Sequence, residues 1–196
     1  PLRLVGSEMC IRDSNNTINM TGDIITSGTS VEGIQFSGAA DSNAITLNGD
    51  ITTTCASGSG SNCFGISIGG DSNTLTMTGD VSAAGSTARG LWVSGDSNTV
   101  SLTGDITSSN DSGILFYGDN NTVTTVGNII AGAKGIDHYS ATGNTIKHTG
   151  NITTTIVNGY GAKSADDNTM TIIGNIITTN NSNCLLYTSD AADEED

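Results

Sequence analysis

The sequence predicts an all-β chain: a single-stranded parallel β-helix, or β-solenoid, with three short strands per turn and about seven turns. Three observations carry this. Asp71-Ser-Asn-Thr-Leu-Thr-Met-Thr-Gly-Asp-Val81 recurs as Asp41-Ser-Asn-Ala-Ile-Thr-Leu-Asn-Gly-Asp-Ile51 and as Asp96-Ser-Asn-Thr-Val-Ser-Leu-Thr-Gly-Asp-Ile106. Its asparagine falls at Asn16, Asn43, Asn73, Asn98, Asn121, Asn144 and Asn168, at intervals of 27, 30, 25, 23, 23 and 24 residues. A glycine closes the first strand of every copy: Gly22, Gly49, Gly79, Gly104, Gly127, Gly150 and Gly174.

One turn, residues 73–95, shows how each element follows. After Asn73, Thr74-Leu-Thr-Met-Thr78 alternates polar and apolar residues, the period of a strand with Leu75 and Met77 on one face. Gly79-Asp80 marks a bend, where glycine implies positive φ or close stacking of successive corners. Val81-Ser-Ala83 is a second strand with Val81 and Ala83 inward, and Gly85-Ser-Thr87 is a loop. Gly90 opens a third strand, Leu91-Trp-Val93, with Leu91 and Val93 inward, and Gly95-Asp-Ser97 turns into the next coil.

Other copies agree. First-strand inward pairs are Ile18/Met20, Ile45/Leu47, Val100/Leu102 and Met170/Ile172, and third-strand pairs are Ile34/Phe36, Ile66/Ile68 and Ile114/Phe116. The expected core is Leu75, Met77, Leu91, Val93, Leu102, Ile114 and Phe116, with Trp92 and Thr76 exposed. Stacked turns rise about 4.8 Å each, so seven rise roughly 30 Å. Asn43, Asn73, Asn98, Asn121, Asn144 and Asn168 would form an internal ladder, each amide bonding the next. A leucine-rich repeat needs Leu-x-x-Leu-x-Leu, and a propeller blade needs about 40 residues; neither fits.

The two ends break the pattern. Leu4–Ser14 and Cys184–Glu194 follow the repeat nowhere beyond Asp13–Ser14. ATG TGT ATA AGA GAC AG encodes Met9 to Asp13 and begins Ser14, and its reverse complement encodes Cys184 to Tyr187 and runs on into Thr188 and Ser189. One DNA segment in both orientations thus resembles a transposase-type sequencing adapter translated with its insert, which sets it apart from fold reasoning. The expected division is therefore residues 1–14 and 184–196 as adapter-derived tails and 15–183 as a β-helix fragment. Both tails are expected to stay outside the regular coils, with Asp13 supplying an aspartate at a repeat position. Any leader, anchor or catalytic domain would lie beyond the fragment.

The chain carries a net charge of −14. Between residues 15 and 183 there are thirteen acidic residues and four basic ones, Arg89, Lys134, Lys147 and Lys163. That balance argues against nucleic acid, and no apolar run approaches the ~20 residues of a membrane helix. Pro1 is the single proline, so strand interiors are unbroken.

Repeats such as Asn98-Thr-Val-Ser-Leu-Thr-Gly-Asp-Ile106 followed by Gly113-Ile-Leu-Phe116 resemble the passenger domains of Gram-negative autotransporters, right-handed β-helices displayed outside the cell. The resemblance implies a surface-displayed stalk for adhesion or cell–cell contact, on the surface of a Gram-negative bacterium or secreted from it. Its partner would be a surface protein or glycan, with no cofactor and membrane contact only through an anchor or barrel outside this stretch. The alternative is a polysaccharide lyase or hydrolase whose active site lies elsewhere. That needs clustered basic groups or carboxylates on one face, and four basic residues over seven turns look scattered.

Two aspartate columns flank the first strand: Asp41, Asp71, Asp96, Asp119 and Asp166; and Asp23, Asp50, Asp80 and Asp105, followed by Asn128, Asn151 and Asn175. Asp71, Asp80, Asp96 and Asp105 are the calcium candidates, since hard oxygen ligands suit that ion. Turn chemistry is the stronger reading, because Asp and Asn bond the backbone at bends. The threonines of the first strands, interrupted by Asn19, Asn48, Lys147 and Ile173, could match an ice lattice or simply face solvent. His138 and His148 fall at inward positions near the fifth and sixth turns and read as core histidines before a metal or catalytic pair. Asp137 points outward by alternation. Gly159-Tyr-Gly-Ala-Lys-Ser164 lacks the glycine before lysine of a phosphate loop. Trp92 and Leu115 face outward together and could form an aromatic platform. No nucleophile–base or paired-carboxylate set emerges. Cys55 and Cys63 bracket the longest loop, and a bridge there would stabilise by roughly 2–3 kcal/mol.

Overall fold

The computed structural model describes residues 4–5, 9–56, 62–156, 159–179 and 186–188. Its described residues form strands and turns only, and the strands join three parallel sheets of eight, eight and seven. Each sheet collects one strand from every turn. The first strands, Thr17–Thr21 to Thr169–Ile173, make the seven-stranded sheet. Second strands such as Val81–Ala84 and third strands such as Ala88–Val93 make the other two. The chain is thus a β-solenoid of about seven stacked turns.

The register follows the sequence repeat. Leu75 pairs with Val100 and Met77 with Leu102, while Leu91 pairs with Ile114 and Val93 with Phe116. Identical pleats in successive turns stack apolar residues on apolar residues. Leu75, Met77, Leu91, Val93, Leu102, Ile114 and Phe116 are all buried, and Thr76 is exposed. At the ends of the stack Ile18, Met170 and Ile172 are only partly buried against this core.

The bend glycine answers both expectations. Gly104 has φ +148°, and a Cβ on it would overlap the Gly79 carbonyl of the turn before. The third strands start earlier than expected, since Gly90 lies inside Ala88–Val93. There a Cβ would strike Ile106 Cγ2, so the glycine lets the second strand of the following turn pack against the third. A further corner was not anticipated. The residue before each ladder asparagine is left-handed: Asn15, Ser42, Ser72, Ser97, Asn120 and Asp167 have φ between 55° and 63°, and Gly143 has φ 68°.

The described residues of the two tails form no full three-strand coil, as expected, but short pieces of both join the sheets. Met9–Ile11 pairs in parallel with the third strand of the first turn, Met9 opposite Ile34 and Ile11 opposite Phe36, and Ile11 is buried. Leu4–Val5 pairs with Ile24–Ile25, and Leu186–Thr188 pairs with Ala162–Ser164. An open solenoid end presents a row of unpaired backbone groups, and a neighbouring extended segment satisfies them. Asp13 is not at the repeat position either; Ser14 is, its Oγ accepting from the Asp41 N–H at 3.0 Å. Residues 180–183 and, in the C-terminal tail, 184–185 and 189–196 lie outside the described residues.

Candidate functional site

In the asparagine ladder each side-chain oxygen accepts the backbone N–H of the asparagine one turn earlier: Asn43 to Asn73 at 2.9 Å, Asn73 to Asn98 and Asn98 to Asn121 at 2.7 Å, Asn121 to Asn144 and Asn144 to Asn168 at 2.8 Å. Amide-to-amide bonds join Asn16 to Asn43 and Asn43 to Asn73. The expected chain of amides is therefore replaced, from Asn73 onward, by oxygen-to-backbone bonding. The left-handed corner before each asparagine takes its N–H out of the sheet, and a buried N–H needs an acceptor.

The aspartate columns run the other way. Asp71 N–H donates to Asp41 Oδ1, Asp96 N–H to Asp71 Oδ1 and Asp119 N–H to Asp96 Oδ1, each at 2.8 Å. In the second column Asp80, Asp105 and Asn128 donate to Asp50, Asp80 and Asp105. One oxygen at each position caps one N–H, which is why asparagine replaces aspartate from Asn128 on: it offers the same acceptor. Asp71, Asp80, Asp96 and Asp105 thus have structural work. Among the described residues no group of three or more His, Cys, Asp or Glu side chains converges as a metal set.

The two histidines lie inside. His148 Nδ1 is 2.8 Å from Thr125 Oγ1, and His138 packs on Phe116 with ring centroids 4.7 Å apart. Neither ring nitrogen of His138 has a hydrogen-bond partner. Burial lowers the His138 pKa to about 4, against an opposing pull from Asp137, and burial also lowers that of His148. Both are neutral core rings near neutral pH. Cys55 and Cys63 are joined by a disulfide with Cα atoms 5.9 Å apart, at the mouth of the loop before the third strand.

The outward face of the third sheet breaks the polar, repeating rule. Phe64 stacks on Trp92 at 4.9 Å, Trp92 meets the edge of Tyr117 at 6.3 Å, and Tyr117 lies 5.1 Å from Tyr139. Arg89 caps Phe64 at 5.4 Å, Lys163 lies over Tyr139 at 5.5 Å and Lys134 over Tyr160 at 5.7 Å, distances that suit cation–π attraction. Arg89 Nε bonds Asp111 Oδ2 at 2.7 Å; Lys134 Nζ bonds Asp137 Oδ2 at 3.0 Å, with Lys163 Nζ 4.0 Å from Oδ1. The strip runs unbroken over the third strands, and the residues just beyond them, of five successive turns.

Three sequence expectations change here. Trp92 is half-buried by Phe64 rather than exposed. Leu115, outward between Trp92 and Asp137, is only 2% exposed. Asp137 points outward as expected yet is fully buried beneath its lysines. Burial first, then hydrogen bonding to Asp137, raises the Tyr160 pKa, so the phenol keeps its proton. Three of the four basic residues of 15–183 share this face, so they are not scattered. The aromatic residues stand over twenty residues apart in sequence; only counting them in repeat register aligns them. The chain matches no family model, no curated protein and no solved structure.

Proposed function

We propose that this chain is part of an exported, surface-displayed β-helical stalk that acts in adhesion or cell–cell contact, on or outside a Gram-negative cell, through the outward face of its third sheet. The observation that supports this is the strip from Arg89 through Phe64, Trp92, Tyr117 and Tyr139 to Lys163 and Lys134, on a rod whose other contacts repeat. The mechanism is presentation: parallel stacking holds side chains from distant sequence positions in one fixed row, so little ordering is left to be done on binding. Nothing in this mechanism calls for a cofactor or catalysis. The two termini read as translated adapter in the same proposal, so the stalk proper spans 15–183.

The test is display of the chain on a non-adhesive bacterial cell. Adhesion or aggregation above that of the bare strain is expected, with loss on combined Tyr117→Ala and Tyr139→Ala; unchanged adhesion in that variant would sink the proposal. Reading the source DNA past both adapter strings is the independent check, with an outer-membrane barrel expected downstream.

A second reading, a polysaccharide lyase or hydrolase, draws support from the clustering of Arg89, Lys134 and Lys163 with Asp111 and Asp137. It is the weaker one, because Asp137 is sealed from solvent and cannot touch a substrate. Release of new reducing or unsaturated ends from an oligosaccharide would favour it.

A further inference from the structure

Resting on the reading of the third-sheet face as the contact surface, we infer that its ligand is an anionic polysaccharide of the uronate type, lying along the rod with its sugar rings against Tyr117 and Tyr139. Tyr117 and Tyr139 are 44% and 46% exposed and sit in successive turns. An aromatic face offers a flat, weakly negative surface to the C–H-bearing face of a sugar, while the hydroxyls stay free for hydrogen bonds. A row running along the stacking axis suits a linear repeating polymer.

A peptide fits less well. Strand addition needs a free sheet edge, and within the stack each third strand already has neighbours on both sides. Helix docking needs an apolar groove, and the aliphatic side chain at the centre of the strip, Leu115, is covered.

Charge decides the class of glycan. The side chains of Lys134, Lys163 and Arg89 are 31%, 26% and 21% exposed, whereas Asp137 is 0%. An incoming ligand therefore meets two ammonium groups and not the carboxylate that holds them. Each ammonium has three donors, so donors remain beyond those spent on Asp137. Arg89, Lys134 and Lys163 against Asp111 and Asp137 leave this strip a net charge of +1 on a chain of net charge −14, so it is where an anion meets the least repulsion. A nucleic acid also combines stacking with negative charge, but it needs a continuous basic groove that tracks each phosphate. Arg89 and the two lysines do not supply one, and Arg89 is paired with Asp111.

The experiment titrates the full chain with galacturonate and glucuronate oligomers, their methyl esters, and oligothymidylate. The acid oligomers are expected to bind, to weaken as salt is raised, and to lose about tenfold on methyl esterification. Tyr117→Ala with Tyr139→Ala is expected to weaken binding about tenfold or more, while Lys147→Gln, on the first sheet, leaves it unchanged. Thermal melts confirm that each variant is folded. Equal binding of acid and ester, no binding of either acid, or tighter binding of oligothymidylate overturns the inference. Should adhesion still depend on Tyr117 and Tyr139 while no acid oligomer binds, the glycan assignment fails and the contact surface stands.

Discussion

The outward faces of the first and third sheets differ although the backbone beneath them is the same. On the first sheet Thr74, Thr99, Thr122 and Thr145 stack in one column, and Thr76, Ser101 and Thr124 in the next. On the third, Ser67, Trp92, Leu115, Asp137 and Lys163 follow one another in a single column with no common chemistry. The first face mostly follows a rule that a turn can satisfy alone, a small hydroxyl-bearing strand residue, with Asn19, Asn48, Lys147 and Ile173 as exceptions. The third depends on neighbours, since Asp137 is tolerable only because Lys134 and Lys163 lie against it. That departure from the repeat on the third sheet is the observation behind the proposed contact surface.

Both faces hang on the glycine corner, so breaking it gives the largest effect. Gly104→Ala adds left-handed strain and overlap with the Gly79 carbonyl. It is expected to cost about 4 kcal/mol in urea unfolding. A loss below about 1 kcal/mol would show that the corners can slide apart.

The next effect sharpens the comparison from inside, because a histidine stands behind each face. His138, behind the third sheet, stays neutral when folded until about pH 4, whereas in the unfolded chain it takes up a proton near 6.5. Its contribution is complete above pH 6.5 and falls away as the pH drops from 6.5 to 4, by about 3 kcal/mol. His138→Phe continues the column of Phe36 and Phe116 and should flatten that stretch of the stability–pH curve. Replacing His148 should flatten it less, because backbone hydrogen bonds at Asn151 and Gly150 oppose the lowering that burial causes. Equal acid sensitivity of wild type and His138→Phe would assign the loss to the carboxylates.

Smaller again is Asp137→Ala, which leaves two lysines facing each other without their counter-charge. The expected cost is about 2 kcal/mol, below the value for a fully buried pair because both lysines reach solvent. Thr76→Ala, on the other face, should change stability by no more than about 0.5 kcal/mol. Similar values for the two would erase the distinction drawn between the faces.

The recurrence of Asp-Ser-Asn, the strict alternation around Leu75 and Met77 and the unfailing bend glycine were enough to determine the turn, its strands, the core residues and the parallel register. These are properties of a local pattern copied along the chain, and stacking simply multiplies them. Tertiary structure alone decided what the spacing between copies conceals. Phe64, Trp92, Tyr117 and Tyr139 become neighbours only because parallel stacking converts a separation of one repeat into a single rung. The same conversion gathered Arg89, Lys134 and Lys163, which read along the chain as scattered. It also turned the aspartate columns from candidate ligands into backbone caps and left Asp137 outward yet buried. Direction across a sheet is written in the alternation of one strand, whereas burial depends on what the adjoining turns place beside it.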